Sequence, residues 1–395
     1  MPSVCFYFQV HQPFRLKPYD CFKIGNDHDY EDVAKNREIL DRVSKKCYLP
    51  ANQTMLDLID KHQGDFKIAY SLSGVLMEQL ELYRPDVLKS FQALAKTGCV
   101  EFLSETYHHS LSYLYSKEEF IRQIDLHKVK IKKHFNQTPT VFRNTELIYN
   151  NEIANYIADL GCKGIICEGL DHVLGFRSPN FVYHPPGNEK IKCLLKNYKL
   201  SDDIAFRFSN QGWSEWPLTA PKFAQWVHQA ADNGETINLF MDYETFGEHQ
   251  WPETGIFEFL EHMPGEIIKH PDFNFKTPSQ VIQSYIARDE YDVHSLSSWA
   301  DLERDLSAWL GNSLQHDAME RIYELEKEVK ESSDLRLINT WAKLTTSDHF
   351  YYMSTKYWND GDVHKYFSHY NTPYDAYINY MNVVTDLEYL GGEER

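Results

Sequence analysis

Thr236-Ile237-Asn238-Leu239-Phe240-Met241 is a run of apolar and β-branched residues that closes on Asp242-Tyr243-Glu244-Thr245-Phe246-Gly247. A short run of this kind predicts a strand covered on both faces, the condition of a parallel sheet. A second stretch has the same build, with Thr140-Val141-Phe142 leading into Arg143-Asn144-Thr145-Glu146-Leu147. A carboxylate just past a buried parallel strand sits at the C-terminal face of an α/β barrel, where such folds carry out chemistry. Two such carboxylates can flank a glycosidic bond, one as nucleophile and one as proton donor.

Working outward, strand-like runs are expected over 4–10, 66–72, 100–105, 140–145, 164–167, 192–196 and 236–242. Helical patterns lie between many of them, over 53–62, 74–83, 86–97, 117–134, 151–160 and 221–233, and Ser116 with Glu119 reads as a capping box. Alternation of this kind implies a parallel sheet, and seven repeats predict a seven-stranded (β/α) barrel, an incomplete TIM-like fold. Long irregular stretches over 11–50 and 198–219 leave strand C-terminal ends and are expected to overhang the active face. Past Pro278 the pattern turns helical, over 301–314, 316–331, 334–348 and 374–389. The predicted organisation is therefore a barrel over 1–290 and a C-terminal helical domain over 291–395 that completes the cleft.

Composition narrows the function. The 395 residues carry a net charge of −18, which argues against nucleic acid, since phosphate is bound by Lys and Arg. The same charge disfavours an anionic membrane surface and leaves a neutral polyol compatible. The 26 Tyr, 23 Phe and 8 Trp suit stacking on sugar rings, although a large barrel also buries many aromatics. The start, Met1-Pro2-Ser3-Val4-Cys5-Phe6, lacks a basic n-region and reads as a strand. No apolar run approaches membrane-spanning length. Seven scattered cysteines without a CxxC pair point to reduced thiols and a cytoplasmic location. Oligomeric state has no signature.

Polar residues leave nearly every predicted strand. Gln9, His11 and Gln12 follow the first, Ser71 and Ser73 the second, and Glu101, Glu105, His108 and His109 belong to the third. Arg143, Asn144 and Glu146 follow the fourth, Glu168 and Asp171 the fifth, and Asp242, Glu244 and His249 the seventh. Acids also favour helix N-termini, but capping does not account for the whole set.

Five short motifs in order carry a resemblance. They are His11-Gln12-Pro13, Gly98-Cys99-Val100-Glu101-Phe102-Leu103, Phe142-Arg143-Asn144-Thr145-Glu146-Leu147, Met241-Asp242-Tyr243-Glu244-Thr245-Phe246-Gly247 and Thr346-Ser347-Asp348-His349-Phe350-Tyr351. With these the chain resembles glycoside hydrolase family 57, a group of retaining α-glucan-active enzymes on a seven-stranded barrel. It looks closest to the α-amylase-type members, including the stretch over 303–312. The resemblance implies Glu146 as nucleophile and Asp242 as acid/base. It implies His11, Glu101, Glu244 and Asp348, with the adjoining His349, as sugar-binding residues, and no cofactor. Cys99 departs from the commoner Gln of the second motif, and the fifth motif keeps its Asp but little else of the transferase-type pattern.

The residue types suit that chemistry. Arg143 could favour the ionised form of Glu146, although an adjacent strand residue points to the opposite face. Packing against Phe240 or Phe246, or a second carboxylate such as Glu244, would raise the pKa of Asp242. The implied function is cleavage of α-1,4 links in an α-glucan or maltooligosaccharide. A 4-α-glucanotransferase or branching enzyme is the alternative within enzymes, and a catalytically silent glucan-binding protein the alternative outside them. The pair His108-His109 raises a metal-dependent deacetylase, but no HExxH occurs and adjacent histidines on extended chain point apart. No metal is expected. Trp299 and Trp309 read as helix-packing residues more readily than as sugar platforms.

Overall fold

The computed structural model describes residues 1–356 and 368–393. Its strands are β1 Ser3–Val10, β2 Ile68–Leu72, β3 Val100–Phe102, β4 Val141–Arg143, β5 Gly164–Glu168, β6 Val182–Tyr183, β7 Lys192–Lys196, β8 Thr236–Asp242 and β9 Asn274–Phe275. The fold is α/β. One sheet runs β3-β2-β1-β8 with β9 also paired to β1, and every pairing in it is parallel. The other runs β4-β5-β7-β6, parallel but for the antiparallel β6–β7 pair.

All seven predicted runs form strands, and the two short additions, β6 and β9, were not anticipated. Strand β1 explains why an unbroken apolar run is needed at the centre. Val4, Phe6, Phe8 and Val10 pack outward into a cluster with the helices around β2 and β8. Cys5 and Tyr7, on the other face, join Ala69, Val141, Ile166, Leu194 and Phe240 in a core between the two sheets. Both faces are thus covered, as parallel strands require. The sheets meet through a parallel bridge between Ser104 and Phe142. On the opposite side the Asn197 N–H bonds Asn238 O at 2.9 Å, and Asn238 Nδ2 bonds Leu195 O at 2.8 Å.

Register brings the strand ends level: Gln9 lies opposite both Ser71 and Asp242. Ser73 at the end of β2 starts helix Gly74–Tyr83 by accepting the Leu76 N–H. Ser116 caps helix Lys117–Phe135 by accepting from the Glu119 N–H. The Glu119 carboxylate turns to Arg122 and Gln123, so the box is only half made.

The C-terminal helices differ from their expected bounds. They run Ser307–Leu310, Ser313–Glu324, Glu326–Glu331, Leu335–Leu344, Ser347–Tyr351 and Pro373–Glu393. The expected helix over 301–314 does not begin at 301, because Asp301 and Arg304 both hold φ of 54°, which no helix allows. The expected helix over 334–348 stops at Leu344, and Thr346 goes extended to bridge Ser110. Apolar side chains of these helices, among them Trp341, Phe350 and Tyr380, share one hydrophobic cluster with Phe142, Ile165 and Cys193. Among the described residues no helix is long and apolar enough to cross a membrane.

Candidate active site

A cavity of about 620 Å³ opens over the C-terminal ends of the strands. Glu146, Asp242, His11, Glu244 and Asp348 all line it. They come from three strand ends, those of β1, β4 and β8, and one helix start, so no local stretch of chain builds the site.

Glu146 owes its position to its backbone. Strand β4 ends at Arg143, and Glu146 takes a left-handed conformation, φ 58° and ψ 25°, within the turn Thr145–Leu147. Such a conformation is uncommon for a residue with a Cβ and is retained where surrounding structure enforces it. Here the enforcement is visible. His109 Nε2 lies 3.1 Å from Glu146 Oε1, and Trp299 Nε1 donates to Glu146 Oε2 at 2.8 Å. His109 is held in turn by Glu105, 3.0 Å from its Nδ1, and Glu105 accepts from the Ser71 hydroxyl at 2.6 Å.

These contacts set charge. Burial works against a charged ring, yet the bonds to Glu105 and Glu146 lift the pKa of His109 to about 9. Burial would likewise raise the Glu146 carboxyl, but the bond and charge of His109, with Arg143 and the Trp299 N–H, bring it below the usual value. Arg143 does line the cavity, although strand alternation argued otherwise: Asn144 stays extended, but the chain turns left-handed at Glu146, so strict alternation does not carry from one residue to the other. It is fully buried with its guanidinium 5.1 Å from the centre of the Trp299 ring. None of its guanidinium nitrogens has a hydrogen-bond partner among the described residues.

Asp242 meets the opposite environment. Burial first, and then the negative charge of Glu146, push its pKa up to about 6. Glu244 goes further, to about 8, through burial and the charge of Asp242. It accepts from the Tyr48 hydroxyl and from Gln12 Nε2 at 3.5 Å. The cavity therefore pairs a carboxyl whose pKa is lowered with one whose pKa is raised, the separation an acid and a nucleophile need.

His11 stacks on His109, ring centres 4.0 Å apart, and bridges Ser73 Oγ at 2.6 Å and Asp348 Oδ2 at 2.9 Å. Burial and the positive His109 lower its pKa, so the neutral ring donates its Nε2–H to Asp348 and accepts the Ser73 proton. Burial would raise the Asp348 carboxyl, and His11, His109 and Arg15 together outweigh it and hold it well below the usual range. Asp348 reaches the cavity because the Ser347 N–H bonds the His109 carbonyl at 2.9 Å, docking the helix start on the strand-three loop.

Two expected residues lie elsewhere. The Glu101 carboxylate accepts from the Ser279 N–H at 2.9 Å, in the first turn of helix Pro278–Ser284, and does not line the cavity. Its place in the middle of the three-residue strand β3, one residue before the strand's end, points it into the layer beneath the cavity. His349 lies against a separate space of about 90 Å³ beside Phe14 and Lys343, with its ring 5.6 Å from that of Tyr380. Burial lowers its pKa to about 4.

Other residues were not anticipated in the site. Trp299 and Trp309 both line the cavity, and with them Lys196, Asp202 and Arg304. Lys196 Nζ lies 3.0 Å from Asp202 and 3.7 Å from Glu168, and Arg304 bridges the same two acids at 3.4 and 3.6 Å. Nothing in the local pattern of 299–304 marks it as part of a site. Its apolar and charged residues read as a helix start. Among the described residues no group of three or more His, Cys, Asp or Glu is arranged to hold a metal ion.

Three comparisons bear on this arrangement. The family model described as Glycosyl hydrolase family 57 matches residues 5–294. A Methanocaldococcus jannaschii protein named "Putative alpha-amylase" is 47% identical over 399 residues, which span 98% of this chain and 84% of that protein. The solved branching enzyme of Pyrococcus horikoshii shares the fold at a TM-score of 0.69 and 16% identity, across 93% of this chain and 87% of that one. The 4-alpha-glucanotransferase of Thermococcus litoralis does so at 0.68 and 15%, across 88% of this chain. The match spans only 56% of that longer protein.

Proposed function

The chain belongs to glycosyl hydrolase family 57 and is a glycoside hydrolase, and on that premise we propose that it cuts α-1,4 links of α-glucans through a covalent glycosyl-enzyme intermediate, as an α-amylase does. The observation that carries this reading is the pair Glu146 and Asp242, held in one cavity with their pKa values pushed in opposite directions. Glu146 attacks the anomeric carbon as the Asp242 carboxyl protonates the departing glycosidic oxygen, leaving a glycosyl ester on Glu146. Asp242, now a carboxylate, takes a proton from water, and the hydroxide formed on that carbon displaces Glu146. Protonated His109 and the Trp299 indole neutralise the Glu146 carboxylate before attack and again as it departs. His11, Glu244 and Asp348 take sugar hydroxyls.

Two architectural readings support this one. We read the two sheets as a single seven-stranded (β/α) barrel, supported by the Ser104–Phe142 bridge on one side and the Asn197–Asn238 bond on the other. We read 291–395 as a helical domain that completes the cleft, supported by Trp299 and Asp348 on its inner side. Residues 357–367 and 394–395 lie outside the described part of it.

Incubation with maltooligosaccharides, followed by product sizing and proton NMR of the first-formed anomer, tests the proposal. Shorter products with α-configured reducing ends are expected. Longer products formed by disproportionation would replace the hydrolase reading with the transferase one, and an unchanged substrate would reject both.

A further inference from the structure

Around the cavity two apolar side chains stand out from the protein. Phe206 is 67% exposed and Leu302 is 92% exposed, and both line the mouth of the cavity that holds Glu146 and Asp242. One exposed apolar residue needs no explanation. These two come from separate elements and meet at one opening. Phe206 directly follows helix Tyr198–Ala205. Leu302 projects from a turn in which Asp301 and Arg304 both hold φ of 54°, a backbone that L residues adopt only where the surroundings enforce it.

The enforcement lies directly beneath. Arg304, two residues past Leu302, reaches Asp202 at 3.4 Å and Glu168 at 3.6 Å. Asp202 stands one helical turn before Phe206, and Lys196 holds it from the other side at 3.0 Å. The ion cluster ties the two protruding segments to each other and to the ends of β5 and β7. The fold therefore pins both side chains in water at the edge of the cavity.

We propose that Phe206 and Leu302 form an outer sugar-binding subsite, whose ligand is a glucose ring of the α-glucan chain beyond the bond being cut. The C–H face of such a ring packs on an aromatic or branched aliphatic surface, while its hydroxyls stay in water. This rests on the α-glucan reading above and extends it to chain length, since only a substrate long enough to reach the mouth gains the contact.

The test is kcat/KM for maltotriose through maltoheptaose with the parent, Phe206→Ala, Leu302→Ala and Phe206→Tyr. The ratio of kcat/KM for maltoheptaose to that for maltotriose should fall about three- to tenfold in Phe206→Ala, the range of one aromatic contact. Most of the change should appear in KM. A smaller fall is expected for Leu302→Ala, and Phe206→Tyr, which keeps the ring, should restore the parent ratio. Melting midpoints should match the parent, since both side chains are exposed. An unchanged ratio in Phe206→Ala, or an equal fall in Phe206→Tyr, would overturn the subsite while leaving the α-glucan reading intact. A parent that turns over no maltooligosaccharide would remove that reading, and the subsite with it.

Discussion

Trp299 donates its indole Nε1–H to Glu146 Oε2 at 2.8 Å across 153 positions of sequence, and its backbone N–H bonds the Glu146 carbonyl at 3.2 Å. One residue from outside the strand framework thus grips both ends of the proposed nucleophile. The grip is part of the electrostatics as well as the geometry. The indole N–H, His109 and Arg143 together offset the burial of a carboxylate that would otherwise take up a proton.

Trp299→Phe should therefore lower kcat by roughly 10- to 100-fold, the equivalent of about 1.5–3 kcal/mol for a hydrogen bond to a charged group. The acidic limb of the pH profile should move upward, because the carboxylate loses a stabilising donor. Steady-state kinetics over a pH series checks both. A purely packing role would lower the melting temperature and leave that limb in place.

Glu146→Gln should reduce turnover by at least about 10³-fold, since an amide cannot form the glycosyl ester. Binding of maltooligosaccharide, followed by calorimetry, should persist. An amide retaining most of the parent activity would remove Glu146 from the mechanism.

The free enzyme should give a bell-shaped profile of kcat/KM against pH. Activity rises as pH climbs through the Glu146 pKa, held below the usual glutamate value, because the nucleophile must be ionised. It falls as pH climbs through about 6, where Asp242 loses the proton it has to donate. Asp242→Asn should abolish the alkaline limb together with activity on unactivated substrates.

Stability should also depend on pH, and the sign follows from the same groups. His109 at about 9, Glu244 at about 8 and Asp242 at about 6 all stand above their unfolded values. A group with a raised folded pKa stabilises fully below its unfolded value, and the stabilisation is lost as pH rises through the folded one. The contribution of these three groups declines from about pH 4 to about pH 9. Above about pH 6.5, where the buried histidines of lowered pKa are already neutral, the melting temperature should fall towards about pH 9, and His109→Gln should flatten that fall. Thermal scans at fixed ionic strength measure this.

Asp348→Asn keeps an acceptor for the His11 Nε2–H and should fold normally. It loses the charge that would receive sugar hydroxyls, so kcat/KM should fall by roughly 10-fold or more. A variant with parent kinetics would make Asp348 a structural partner of His11 and nothing else.

By itself the sequence determined the seven strand runs, their parallel character and the acids at their ends. Those features are local: a covered strand needs an unbroken apolar run, and Glu146 and Asp242 follow two such runs directly. Local pattern failed where residues distant in sequence set the outcome. Residues 301–306 have a helix-compatible composition, but Arg304 is drawn to Asp202 and Glu168 and the backbone turns left-handed instead. Glu101 carries a family motif, yet its place in mid-strand sends the carboxylate to Ser279, one layer below the cavity. The opposite pKa shifts of two similar carboxyls were also decided only in three dimensions. A pKa follows burial and the charges within a few ångströms, and those neighbours, His109 and Trp299 for one and Glu146 for the other, are brought together by the tertiary structure alone.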